Sequence, residues 1–504
     1  MRVLFVGYEN ESLALAKLAQ RLEADSHETK LVLGDKYNFI NDSEIRRRLT
    51  EEGCEDWVSL EAQYEKLYTT SWDVDWDYLA SFERRFCHNK TLQELVKTDH
   101  ILTRDHHFRR PFFYPDDPDP SLVYYWVELA ARWLESEISA FDPDVVFTLD
   151  RNYLVKNAAA QMAMATDRQL LTLIRSRVGD YHHLSRNFGY GTERRIREHV
   201  TDDAVTDLTD AREWCERFRQ SNEETSLYDA TAQELTGQTE LFTTSEVLGK
   251  YTNNLLQLIH TMRSRSKREY RGLLKGNYLD SNRVNAFKFR TRTTYNRLKY
   301  IHANPFEQNL PDRPFVYLPL HTLPESSTLT LSTEYYEDDL VRFVSTKLPA
   351  PLQLVVKENP NMVGLRPFDY YESLDKLSNV TLVDPAIPSK RLIDASRGVC
   401  GISGTALLEA AVLSKPTHCF GHPEFEVVVD HSGYDRFSDF VALCADSEGA
   451  RNPEYVVRYF DFILRHGRSF SPDPLQYLNT TEEYYEALDT VEEMLREEFV
   501  KLTH

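Results

Sequence analysis

The chain reads as an α/β protein with two doubly wound, Rossmann-like parallel sheets, a helical insertion between them and helices at the C-terminal end. Three observations give that class. Short continuous apolar runs such as Arg2–Gly7, Asp144–Asp150, Phe315–Leu320 and Leu352–Lys357 alternate with segments of helical periodicity in both halves. Strands that lack an apolar–polar alternation are those covered on both faces, as in a parallel sheet. From the first residues, Arg2–Gly7, the helical run Leu13–Leu22 and Thr29–Gly34 follow at the spacing of a strand–helix–strand crossover. The stretch Arg397–Gly421 then repeats the unit: an apolar run to Ile402, a small-residue turn Ser403-Gly404-Thr405, a helix Thr405–Ser414 and a further strand from Pro416.

Length and composition bound the rest. A chain of 504 residues is too long for one ordinary core. The expected division is an N-terminal Rossmann-like domain over 1–186, a helical insertion and linker over 187–312, a C-terminal Rossmann-like domain over 313–470 and a terminal helix over 471–504. With 41% hydrophobic and 12% aromatic residues the chain has the material for large cores. A net charge of -21 argues against nucleic acid, or an anionic membrane, as the main partner, so any site for a polyanion must be concentrated locally. The six cysteines form no Cys-x-x-Cys pair, which fits reduced thiols and a cytoplasmic setting. No apolar run reaches bilayer length, and Met1–Gly7 reads as a strand rather than a signal peptide. Peripheral association with the inner face of the membrane stays open, and the oligomeric state is not readable.

In the N-terminal half, Gly7 belongs to no Gly-x-Gly-x-x-Gly fingerprint, and Glu9 and Glu11 would repel a phosphate there. Asp150 ends its strand at the place from which open sheets present functional groups, and Asp180 follows the next strand; either acid could equally cap a helix or line a loop. His106 and His107 are adjacent, poor spacing for two ligands, and no Asp-x-Asp motif stands out as a donor site, so no metal is expected. The basic tracts Arg263–Lys275 and Lys288–Lys299 are either solvated helix faces or a collector for an anionic acceptor.

After the proline-punctuated linker Asn304–Pro314, three groups fall after apparent parallel strands. His321 opens the polar loop His321–Ser327 that includes Glu325, Lys357 ends the run Leu352–Lys357, and Ser403-Gly404-Thr405 ends the run to Ile402. They should converge on one edge of the sheet. A turn leading into a helix leaves unpaired N–H groups at the positive end of the helix dipole, and Gly404 lets an anion approach. Glu409 lies four residues after Thr405, on the same face, where a carboxylate can accept from a ribose hydroxyl.

These stretches, Phe315–Thr328, Val356–Pro360 and Gly401–Glu409 with Lys415-Pro416, resemble the capsule polysaccharide biosynthesis proteins, a family that includes Kdo transferases of GT-B fold. The resemblance covers roughly 313–425. It implies a GT-B-like fold with two Rossmann-like domains facing a cleft. It also implies that Lys357, Ser403, Gly404 and Thr405 bind the nucleotide phosphate of a sugar donor and that Glu409 holds its ribose. The family usually has His-Pro where this chain has Asn359-Pro360.

The function these readings predict is metal-independent glycosyl transfer from a nucleotide-sugar donor to a surface polysaccharide or lipid-linked glycan acceptor, with no cofactor. Lys357 and the helix N-terminus would stabilise the leaving phosphate, and Asp150, Glu11 or Asp180 would supply the base. Three alternatives remain open: a transferase of polyol phosphate from a CDP-linked donor, a nucleotide-sugar epimerase of the same fold, and a non-catalytic protein that binds a nucleotide sugar.

Overall fold

The computed structural model describes residues 1–8, 11–34, 42–54, 56–60, 63, 66, 72–87, 90–98, 120–150, 153–187, 191–222, 226–227, 242–263, 283–323, 326–332, 336–446, 449, 453–476 and 480–503. The described residues divide into two compact units: those of 1–98, 120–193 and 463–503 form unit 1, and those of 194–462 form unit 2.

Unit 1 is built on β1 (Arg2–Gly7), β2 (Glu28–Leu33), β3 (Trp57–Ser59), β4 (Val145–Thr148), β5 (Gln169–Arg175), β6 (Tyr181–Ser185) and the late strand β13 (Arg468–Ser469), in the order β13-β6-β5-β4-β1-β2-β3. β3, β2, β1, β4 and β5 run parallel. The order reverses direction between β1 and β4, which makes that gap the switch point of the sheet. The helix Ser12–Ala24 turns Leu13, Leu15, Ala16, Leu18, Ala19 and Leu22 inward because apolar residues recur at three- and four-residue spacing. Tyr181-His-His183 lies in β6, which pairs antiparallel with β5. Only residues 176–180 join the two strands, too few for a parallel crossover.

The segment the sequence sets apart at 471–504 packs into this same unit. Its helix Glu482–Thr503 places Leu488, Val491, Met494, Leu495 and Phe499 in one cluster with Val3, Phe5, Leu15, Leu18 and Leu22.

Unit 2 carries β7 (Phe315–Pro319), β8 (Gln353–Lys357), β9 (Val380–Val383), β10 (Gly398–Gly401), β11 (Thr417–Cys419) and β12 (His431–Ser432). All neighbours are parallel, in the order β12-β11-β10-β7-β8-β9. Numbered from β7, this is the 3-2-1-4-5-6 order of nucleotide-binding sheets, with its switch point between β7 and β10. The expected strands at 315–320, 352–357 and 397–402 are thus present. Val316, Leu318, Leu354, Val356, Cys400 and Ile402 share one core with Leu340, Val341, Val344 and Phe440 of the covering helices. Residues of the expected insertion contribute the helices Arg194–Thr201, Thr209–Gln220, Thr244–Arg263 and Arg283–His302. The two Rossmann-like units place the chain in the GT-B-like α/β class. Among the described residues, no helix is long and apolar enough to cross a membrane.

Candidate functional site

In unit 2 the switch point gathers most of the residues singled out from sequence. His321 follows β7, Lys357 ends β8, and Ser403-Gly404 follows β10 and leads into the helix Thr405–Val412. Gly404 is the helix N-cap and has no side chain with which to cap the first turn. A Cβ built on Gly404 would stand 2.9 Å from His321 Nε2. Glycine is therefore required here for close approach rather than for an unusual dihedral, since φ is -72°. The Ser403 N–H reaches His321 Nε2 at 3.5 Å.

Lys357 is 3% exposed, and its ammonium donates to Ser389 Oγ at 3.1 Å. Burial pulls it down to about 8 from the usual lysine value, against the attraction of Glu409 and Asp384. A cation so held is ready to exchange weak neutral partners for an anion. Glu409 lies one turn into the helix and is buried, and its Oε1 accepts from Ser226 Oγ at 2.8 Å and from the Leu227 N–H at 2.9 Å. The carboxylate expected to hold a ribose is thus also a tie to residues 226–227, as a buried carboxylate needs donors. Glu325 lies outside the described residues, as do His106, His107 and most of the tract Arg263–Lys275.

Behind His321 stands an ionic network that sequence reading missed. Glu337 Oε1 accepts from the His321 N–H at 2.6 Å and lies 2.9 Å from its Nδ1. Glu337 Oε2 accepts from Arg366 Nη2 at 2.6 Å, and Arg366 Nε lies 2.6 Å from Glu358 Oε2. Glu358 also accepts from Tyr371 Oη at 2.8 Å and from the Asn359 N–H at 2.6 Å. Burial alone would raise the Glu337 carboxyl, but Arg366 and the His321 donors overcome it and hold it down at about 2. For Glu358 burial prevails over Arg366, and the carboxyl rises to about 7. Asn359 accepts from the Asn361 N–H at 3.0 Å and so caps a short turn.

Unit 1 has its own cluster at the switch point between β1 and β4. Glu11 follows β1, Asp150 follows β4, and Lys156 of the helix Leu154–Ala165 joins them, its Nζ 2.6 Å from each carboxylate. Lys156 is fully buried and Glu11 nearly so, while the Asp150 side chain is 24% exposed. Burial pushes Glu11 up to about 7 despite Lys156, with Asp150 adding to the rise. Burial disfavours the Lys156 charge, but Asp150 and Glu11 outweigh it and hold the ammonium protonated above its ordinary value. Two acids expected to be catalytic candidates are therefore brought together. Asp180 is not among them: it sits in the β5–β6 hairpin, largely exposed, and pairs with Arg175 at 2.9 Å. The signal for Lys156 was a lone charge in the apolar run Leu154-Val155-Lys156 ahead of three alanines. Among the described residues, no group of three or more His, Cys, Asp or Glu is arranged to hold a metal ion.

No family model and no curated protein matches the chain. Several solved structures are similar in architecture. A β-Kdo 2,4-transferase, KpsC of Thermosulfurimonas dismutans, matches at 13% identity and TM-score 0.35 over 68% of this chain and 86% of that one. A UDP-GlcNAc 2-epimerase from Neisseria meningitidis bound to UDP-GlcNAc matches at 13% identity and TM-score 0.24 over 92% and 99%. A glycosyltransferase from Rickettsia africae matches at 9% identity and TM-score 0.24 over 98% of both chains. These similar structures are transferases and epimerases, and at such identities no residue role passes from them to this chain.

Proposed function

We propose that the chain is a glycosyltransferase that takes a sugar from a nucleotide-sugar donor and passes it to a glycan or lipid-linked acceptor. The observation that carries this reading is that buried Lys357, His321 and the Ser403–Gly404 turn all follow neighbouring parallel strands on one edge of the unit 2 sheet, with the turn and His321 in contact. Lys357 offers a positive charge and the turn a helix N-terminus, the provision a nucleotide phosphate needs, and His321 stands beside the turn. In this reading the bond from the anomeric carbon to the phosphate oxygen breaks, and its electron pair goes to the phosphate. Lys357, His321 and the helix N-terminus take up the developing charge.

The acceptor hydroxyl loses its proton to a base as its oxygen bonds to the anomeric carbon, and Asp150, the more exposed of the two acids beside Lys156, is the carboxylate proposed for that role. Lys156 Nζ, 2.6 Å away, holds the Asp150 carboxylate in place. The test is release of free nucleotide from a panel of UDP-, CMP-, CDP- and GDP-sugars, with and without glycan acceptors, by the wild type and by Asp150→Asn. Turnover that needs an acceptor and falls by 10²-fold or more, on the scale of general-base catalysis, in the variant supports transfer. Isomerisation of the sugar without any acceptor would replace this reading with the epimerase.

A further inference from the structure

His321 is more than nine-tenths buried, yet its ring is not packed as an apolar filler. One face of the imidazole is fixed by a carboxylate and the other is turned to the Ser403–Gly404 turn. A histidine whose Nδ1 faces Glu337 Oε1 must carry its hydrogen on Nδ1, because an unprotonated Nδ1 would set two lone pairs against each other at 2.9 Å. The same Glu337 oxygen takes the His321 backbone N–H, so the ring and its backbone are clamped by one atom. Arg366 completes the clamp, with Nη2 reaching both Glu337 Oε2 at 2.6 Å and the His321 carbonyl at 2.7 Å. Arg366 is itself fully buried and anchored on its other side by Glu358.

We infer that Glu337, held by Arg366, is the positioning residue that sets His321 as the Nδ1–H tautomer, so that Nε2 takes up a proton when a nucleotide phosphate binds at the Ser403–Gly404 turn. The inference rests on the donor-site reading above. In the free protein the bare Nε2 accepts from the Ser403 N–H. An arriving phosphate oxygen brings only lone pairs, and a neutral Nε2 would repel it. With a proton from solvent on Nε2, the imidazolium donates to the phosphate and stays neutralised on its Nδ1 side by Glu337. The charged groups facing His321 are Glu337 from the helix Glu337–Lys347 and Arg366 from the segment before the helix Phe368–Asp375, with Glu358 behind Arg366. Among the described residues, no other charged side chain is hydrogen-bonded or ion-paired to the ring.

The experiment uses the full chain with UDP and CMP as probes. Titration calorimetry near neutral pH in two buffers of different ionisation enthalpy gives the protons taken up per nucleotide bound. The wild type should take up a large fraction of one proton, and His321→Gln should lose that uptake and bind about tenfold more weakly. Glu337→Gln leaves Arg366 paired with Glu358, so no buried charge is stranded, and should take up less than the wild type. The ¹⁵N spectrum of histidine-labelled, ligand-free protein, assigned by loss of the signal in His321→Gln, should show Nδ1 protonated and Nε2 bare. Equal proton uptake in wild type and His321→Gln would overturn the inference, as would an Nε2–H tautomer in the free protein. Failure of both nucleotides to bind the wild type would overturn the donor reading and the uptake claim with it, while the nitrogen spectrum decides the Glu337 clamp in either case.

Discussion

Lys156 Nζ lies 2.6 Å from Glu11 Oε1 in a place with no access to solvent, and the same ammonium reaches Asp150 at 2.6 Å. Two acids that end or follow adjacent strands of unit 1 thus share one cation. At neutral pH the cluster carries a proton equilibrium that an exposed loop acid would not have.

The sign of its pH dependence follows from Glu11, which is raised from 4.5 to about 7. Between those values the folded chain binds a proton that the unfolded chain has already lost. This contribution to stability is present in full below pH 4.5 and is lost as pH rises through about 7. Melting temperatures measured from pH 4.5 to 8 should therefore decline across that window for the wild type, and Glu11→Gln should flatten the decline. A profile that is the same in both proteins would contradict the assignment.

Removing the cation strands two carboxylates. Lys156→Met should destabilise unit 1 by about 3–5 kcal/mol in denaturant melts, the cost of breaking a buried pair by taking away one partner. Adding Glu11→Gln to Lys156→Met should recover part of the loss, because one of the two stranded charges is then gone. Additive losses would show that the three residues do not act as a unit.

Gly404 and His321 should be coupled in the same manner. A methyl at 404 meets His321 Nε2 at 2.9 Å, while the backbone dihedrals there suit any residue. Gly404→Ala should cost about 1 kcal/mol of stability by crowding and weaken nucleotide binding. In the background of His321→Ala the added methyl should cost much less stability, which a double-mutant cycle measures directly.

The C-terminal helix should prove integral to unit 1. Leu488 is fully buried in the cluster with Val3, Phe5 and Leu18, so Leu488→Ala should destabilise by roughly 2–5 kcal/mol. Exposed Tyr485, one helical turn before Asp489, serves as the control and should change stability little when replaced by alanine.

Strand ends are legible in the sequence because parallel strands are covered on both faces and stand out as unbroken apolar runs. The runs alone therefore mark His321, Lys357, Ser403 and Asp150 as strand-end residues. What sequence could not supply was strand order. Asp150 and Asp180 both follow strands, but only the 3-2-1-4-5 arrangement puts Asp150 at the switch point and Asp180 in an outlying hairpin. Nor could it supply partners drawn from other elements: Glu337 lies 16 residues beyond His321 and Arg366 a further 29, and no local periodicity ties the three together. Buried charges in apolar surroundings, as at Lys156, were the one local sign of such clusters.

The pH response of the donor site offers a further check on Lys357, which loses its proton as pH rises through about 8. Its positive charge is present below that value and absent above it. Nucleotide affinity should therefore fall above pH 8, by up to about tenfold per pH unit. In Lys357→Arg the guanidinium stays charged, and the part of the decline that Lys357 causes, beyond the one that follows from proton uptake at His321, should disappear.

The most direct test of the central claim is nucleotide binding to the full chain, read as a thermal shift and as a dissociation constant for UDP, CMP, CDP and GDP and their sugar conjugates. One nucleotide class should raise the melting temperature by mass action, and Lys357→Ala should weaken its binding by about ten- to hundredfold, the worth of a charge-assisted hydrogen bond. Unchanged binding in Lys357→Ala, or no shift with any nucleotide at millimolar concentration, would contradict it.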